Sequence, residues 1–227
     1  MTRMITPRQP RRLTATRIGA LCWIISAALF LLANAVAQFA WTTPYSLRDN
    51  NISDLGNVYC RNSGADNPPD RYICSPDHAL FNTSVIVATV LVIVGVLLTS
   101  RWWGRGVASM AARVLIVAGA GGYVLAGVWP ADVNLDLHVL GAALIMLGGN
   151  VGLLVAGLAF RRGALARLRT PTVVISVVAF VAALMHFSGH YAGLGMGGTE
   201  RVSVYALEVW LVLVAVHILQ RRAEPRS

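Results

Sequence analysis

Two histidines, His186 and His190, stand four residues apart at the end of a long apolar run. That spacing sets two imidazoles on one face of a helix. A third nitrogen from His78 or His138 would complete a three-ligand zinc site with one position left to water. Asp132 and Asp136 share the short polar stretch WPADVNLDLH (129–138) with His138. They are candidates for a general base, or for partners that orient the histidines. Glu208 is a candidate of another kind, because it interrupts an apolar run and a carboxylate in lipid is costly unless it faces the protein interior. It lies seven positions after Arg201, about 10 Å deeper along a helix and near the same face, so Arg201 or His186 could balance it. The chemistry on offer is therefore metal-assisted hydrolysis of a lipid-like substrate, or transport with Glu208 as a proton or ion site. A plainer reading competes. The HxxxH pair lacks the glutamate of HExxH, and Ser188-Gly189 can end the helix between the two histidines. The polar residues at the span ends, from Asp54 and Asp77 to Glu200 and Arg201, would then be solvated caps, with Asp77 and Asp136 favoured by the helix macrodipole.

The elements that must position these residues are apolar spans. Of 227 residues, 56% are hydrophobic and 13% charged, about half the charged share of an ordinary soluble domain. Apolar runs cover about 18–41, 79–100, 107–129, 137–160, 172–188 and 202–219. Each is long enough to cross a hydrocarbon core of about 30 Å as a helix, the last two only just. The fold class is all-α: a polytopic integral membrane protein of six transmembrane helices. Fifteen of the 19 arginines fall in the N-terminal tail, the 101–113 region, the 161–169 loop and the C-terminal tail. By the positive-inside rule both termini are cytoplasmic. The organisation is then a basic cytoplasmic tail (1–17), a six-helix membrane domain (18–219) with an outer loop at 42–76, and a short cytoplasmic tail (220–227). Ala35-Val36-Ala37 has the pattern of a signal-peptidase site, but the preceding apolar run is longer than a signal core, which favours a retained helix.

The net charge of +9 follows this topology and does not point to nucleic acid. Lysine is absent, which excludes Schiff-base cofactors and lysine-containing phosphate loops. Cys60 and Cys74 flank a polar stretch of the outer loop, where an oxidising compartment would join them as a disulfide; two free thiols are the alternative. Small residues at 118–122 and 147–149 suit close helix packing, and Asn34, Asn82 and Asn150 suit interhelical hydrogen bonds.

Three short strings carry a resemblance: NNISDLG (50–56), the P-A-D turn leading to His138 (130–138), and GTER (198–201). With them the chain, from about 18 to 219, resembles the bacterial membrane family catalogued as domain of unknown function 998. The resemblance implies a compact six-helix protein of actinobacterial type and brings no activity with it. A looser likeness to the membrane hydrolases that include alkaline ceramidases departs from them in having six helices, not seven, and its HxxxH at the end of the fifth. The preferred expectation is a multi-pass plasma-membrane protein that binds a lipid or a partner in the cell envelope. The alternatives are an outward-facing zinc-dependent hydrolase and a small transporter.

Overall fold

The structure is a computed structural model that describes residues 14–64 and 70–221. The basic tail read at 1–17 therefore lies mostly outside the described residues, as does nearly all of the C-terminal tail. Six long helices account for most of the rest: α1 (Ala15–Phe39), α2 (His78–Thr99), α3 (Val107–Val128), α4 (Leu135–Ala159), α5 (Arg169–Ser188) and α6 (Gly195–Gln220). All six are long and apolar enough to cross a membrane. A lipid-exposed backbone can only satisfy its own polar groups internally, so such runs form helices. The helix starts use local caps: the Thr14 side chain accepts from Arg17 N, and Asn134 accepts from Leu137 N.

Helices adjacent in sequence pack side by side, and α6 closes the ring against α1. The six-helix expectation holds. One boundary differs: the stretch read as a connection at 189–200 is only six residues long (189–194), and α6 begins at Gly195. Glycine, threonine and charge at 195–201 look like loop, yet this segment is mostly buried beneath another part of the chain.

The interior is layered. At the end of the bundle that carries the arginine-rich connections, Trp23, Trp103, Trp210 and Phe160 pack with ring centroids 5.6–6.3 Å apart. Their indole N–H groups are all used, by Val92 O, Thr99 Oγ1 and Thr172 Oγ1 respectively. A buried Trp usually finds such a partner. Midway, Phe30 meets Tyr123 and Tyr205 edge-on. The outer surface carries exposed apolar side chains such as Leu32, Leu97 and Val114, as lipid contact demands.

Close approach rests on small residues, as their abundance suggested. A Cβ on Gly119 would lie 2.8 Å from Gly149 Cα, and one on Gly122 would lie 2.5 Å from Gly141 O, so α3 and α4 touch through backbone. Within that contact α4 widens into a π-helical stretch, Leu144–Gly149, a feature often found near functional sites. Asn150 bonds across to Ser203, as expected of an interhelical asparagine. Asn34 instead bonds Phe30 O in its own helix.

Gly95 sits against the indole of Trp23, where a Cβ would meet Nε1 at 2.2 Å. Gly95→Ala should therefore displace Trp23 and lower stability by about 1–3 kcal/mol. Thermal unfolding in detergent checks this against Gly121→Ala, whose Cβ has nothing within 4 Å and should leave Tm nearly unchanged.

Candidate functional site

Residues 40–64 and 70–77 fold back over the other end of the bundle as a cap. Its docking surface is the first two turns of α6. Gly195, at φ +77°, and Gly197 allow the cap backbone to lie directly on the helix: a Cβ would meet Arg48 O at 2.3 Å from Gly195 and Asn50 O at 2.1 Å from Gly197. Gly197 N donates to Arg48 O at 2.8 Å.

Two charged side chains from this turn hold the cap. The Arg201 guanidinium, 8% exposed as a residue, donates through Nη1 to Leu47 O, Asn50 O and Gly197 O at 2.7–3.0 Å. Its Nη2 donates to Tyr45 Oη at 2.6 Å, and Tyr45 donates in turn to Asn51 O at 3.0 Å. Burial pushes the Tyr45 hydroxyl well above its ordinary range, against the downward pull of Arg201. The hydroxyl therefore stays protonated, as its dual role of acceptor and donor requires. Glu200, also 8% exposed, accepts from the backbone N–H of Ile52 and, at 3.4 Å, of Ser53.

The cap is braced internally by a second buried charge. Asp54 accepts from Arg71 Nε at 2.8 Å and Nη2 at 3.0 Å, and from Asn51 N at 2.9 Å. A two-stranded hairpin, β1 (Arg61–Asn62) and β2 (Tyr72–Ile73), stands beside a disulfide between Cys60 and Cys74. The expected disulfide is thus present. Ser75 Oγ donates to Leu55 O within the cap, and two further bonds fasten the cap to the bundle: Asn82 Nδ2 to Gly56 O, and Tyr59 N to Asp132 Oδ2.

Beneath the cap, between α1, α2, α3, α4 and α6, lies a partly open cavity of about 60 Å³. Phe30, Phe81, Val85, Ile145, Met146 and Val204 supply apolar walls, and Glu200, Ser53, Asn82, His138 and Tyr123 supply polar groups. The Tyr123 hydroxyl is buried and has no hydrogen-bond partner among the described residues. It also borders a smaller space of about 10 Å³ next to Asn150 and Ser203, room for roughly one water.

The residues singled out from the sequence are distributed differently from what a metal centre needs. Helix α5 ends at Ser188, and Gly189 takes a left-handed conformation (φ 73°), so His186 and His190 do not share a helical face. His186 Nδ1 lies 3.2 Å from Met196 O and ties α5 to α6, while His190 Nδ1 turns to Ser188 O. His78 and His138 bond Ser75 O and Trp129 O. Among the described residues no three His, Cys, Asp or Glu side chains group as metal ligands. Asp132 anchors the cap, and Asp136 is exposed in the first turn of α4. Glu208 is buried, and its Oε2 has no partner among the described residues. Arg201 spends its hydrogen bonds on the cap, and no ion pair to Glu208 is formed among the described residues. Glu200, Arg201 and Asp54, which the plainer reading placed as solvated caps, are buried. Tyr45, Asn50, Arg71 and Tyr123 had escaped notice, although the strings NNISDLG and GTER bracket the contact that matters.

A family model described as "Protein of unknown function (DUF998)" matches residues 24–217. No curated protein and no solved structure matches the chain.

Because the cap is held by a planar fork and by two missing side chains, two variants should loosen it. Arg201→Lys keeps the charge but cannot reach all four acceptors, costing about 1–3 kcal/mol. Gly197→Ala drives a methyl into Asn50 O. Both should speed reduction of the Cys60–Cys74 disulfide by added dithiothreitol, read by thiol alkylation. Unchanged reduction rates would mean that the cap is held elsewhere.

Proposed function

The chain belongs to the DUF998 family of proteins of unknown function, and from that premise we propose that it is a membrane protein that binds an amphiphile beneath its cap. The single observation carrying this reading is the cavity itself. The opposite end of the bundle is filled by the tryptophan cluster, whereas the capped end keeps a space with apolar walls and a few converging polar groups. That combination is characteristic of small-molecule sites. A volume of about 60 Å³ suits a head and a few methylenes, the remainder of the chain leaving through the open side.

The arginine distribution puts both termini in the cytoplasm, so the cap and its cavity would face the far side of the plasma membrane. A disulfide in the cap fits an oxidising compartment. A role in the cell envelope follows from that placement. Hydrolysis has less to rest on, since each candidate histidine bonds a different backbone carbonyl and Asp132 serves the cap. Transport through Glu208 finds support in that residue's burial, but the aromatic cluster closes the arginine-rich end.

Filling the cavity tests the proposal. Ala142 lines it, and Ala142→Phe should exclude the ligand while keeping or raising Tm, as cavity-filling substitutions commonly do. Mass spectrometry of extracts from protein purified in mild detergent should find a stoichiometric amphiphile with the parent chain and little with the variant. Equal lipid content in both would end the proposal.

A further inference from the structure

We propose that the cavity selects its amphiphile by the head: a hydrogen-bond donor without negative charge, either a hydroxyl or an ammonium group. This rests on the amphiphile-binding reading and adds the class of ligand. The argument begins with what is missing from the lining. Among the described residues no arginine lines the cavity, and the chain contains no lysine. The two nearby guanidinium groups direct their terminal nitrogens elsewhere, Arg201 to the carbonyls of the cap and of Gly197 and to Tyr45, and Arg71 to Asp54. An anionic head would enter with no counter-ion, beside the Glu200 carboxylate. Like charges in a low-dielectric site repel strongly.

Glu200 is an acceptor, and the hydroxyls of Ser53 and Tyr123 can accept as well as donate. A carboxylate offers about four lone-pair directions, and among the described residues the backbone N–H groups of Ile52 and Ser53 are the donors to Glu200. Acceptor capacity therefore remains on the cavity side. His138 Nδ1 faces Trp129 O at 3.1 Å; a carbonyl only accepts, so Nδ1 carries a proton, and in the neutral ring Nε2 is an acceptor. Asn82 gives one amide hydrogen to Gly56 O at 2.9 Å, which leaves its carbonyl oxygen and one N–H. Tyr123 supplies the independent sign that a ligand belongs here. Its hydroxyl is buried, borders the cavity and has no partner among the described residues, an arrangement that costs stability unless something polar reaches it. An ammonium head can donate to Glu200, His138 and Tyr123 together, whereas a hydroxyl head donates to one acceptor and accepts from Tyr123.

The test uses the full chain in nonionic detergent and four probes of one chain length: dodecylamine, dodecanol, dodecanoate and dodecyl phosphate. Native mass spectrometry titrations should show the amine and the alcohol binding at least about tenfold more tightly than either anion. Tyr123→Phe should weaken the amine and the alcohol alike with Tm unchanged, since the lost hydroxyl bonds nothing among the described residues. Glu200→Gln keeps an acceptor for Ile52 N and should narrow the preference for amine over carboxylate by about tenfold. Should Glu200→Gln loosen the cap, seen as faster disulfide reduction, the Tyr123→Phe result stands on its own. A clear preference for the amine over the alcohol identifies a cationic head, and parity identifies a hydroxyl. Dodecanoate or dodecyl phosphate binding as tightly as the amine would overturn the head selection and leave the cavity reading intact. Failure of all four probes, with Ala142→Phe indistinguishable from the parent chain, would overturn the cavity reading itself.

Discussion

Two adjacent charges at the start of α6 need partners that lipid cannot give. Glu200 and Arg201 are each 8% exposed, and a buried ion left without hydrogen bonds costs several kcal/mol. Backbone atoms of residues 47–53 supply carbonyls to the guanidinium and N–H groups to the carboxylate, and Tyr45 Oη and Gly197 O complete the set around the guanidinium. The cap cannot leave without stranding both charges. Because cation and anion sit side by side on one helical turn and point to different stretches of the same loop, they set its register as well as its attachment.

Much else follows from that attachment. The cap backbone must lie against the helix backbone, which requires Gly195 and Gly197 to lack side chains. The loop must hold its own shape to present carbonyls and N–H groups in order, and the Asp54–Arg71 pair with the Cys60–Cys74 disulfide does this. Leu55, Ile52 and Ile73 then turn inward and extend the bundle core across the capped end. Glu200 holds the cap and borders the cavity at once. Cap position and cavity chemistry are therefore coupled through a single carboxylate.

The two ends of the bundle solve opposite problems. At the arginine-rich end, three indoles and Phe160 fill the ring of helices, with every indole N–H satisfied. At the capped end the helices enclose a space in which the Tyr123 hydroxyl is left without a protein partner. The π-helical stretch in α4 contributes Ile145 and Met146 to that space, and the backbone contact of α3 with α4 holds its wall in place. A fully packed end and a partly open end in one bundle give the molecule a direction.

The six spans were legible because the requirement that creates them is local: a run of about 20 apolar residues must close its own hydrogen bonds wherever it meets lipid. The disulfide was legible for a similar reason, two cysteines bracketing one polar loop. Small residues likewise announced the α3–α4 contact. The start of α6 was not legible, because GMGGTER has the composition of a loop yet forms the first two turns of the helix beneath the cap. Nor could spacing settle the histidines. The i, i+4 pair depended on a helix continuing through Gly189, and that glycine turned the chain. The site depended on the tertiary structure most of all. Arg201 meets Tyr45 from 156 positions away, and Glu200 meets Ile52 from 148. Whether a charged residue at a span end is a solvated cap or a buried anchor depends on which distant backbone covers it. The sequence by itself determined where the chain crosses the membrane, because lipid imposes that demand on each segment separately. Only the tertiary structure decided which polar residues form a site, because a buried charge takes its partners from wherever the fold brings them.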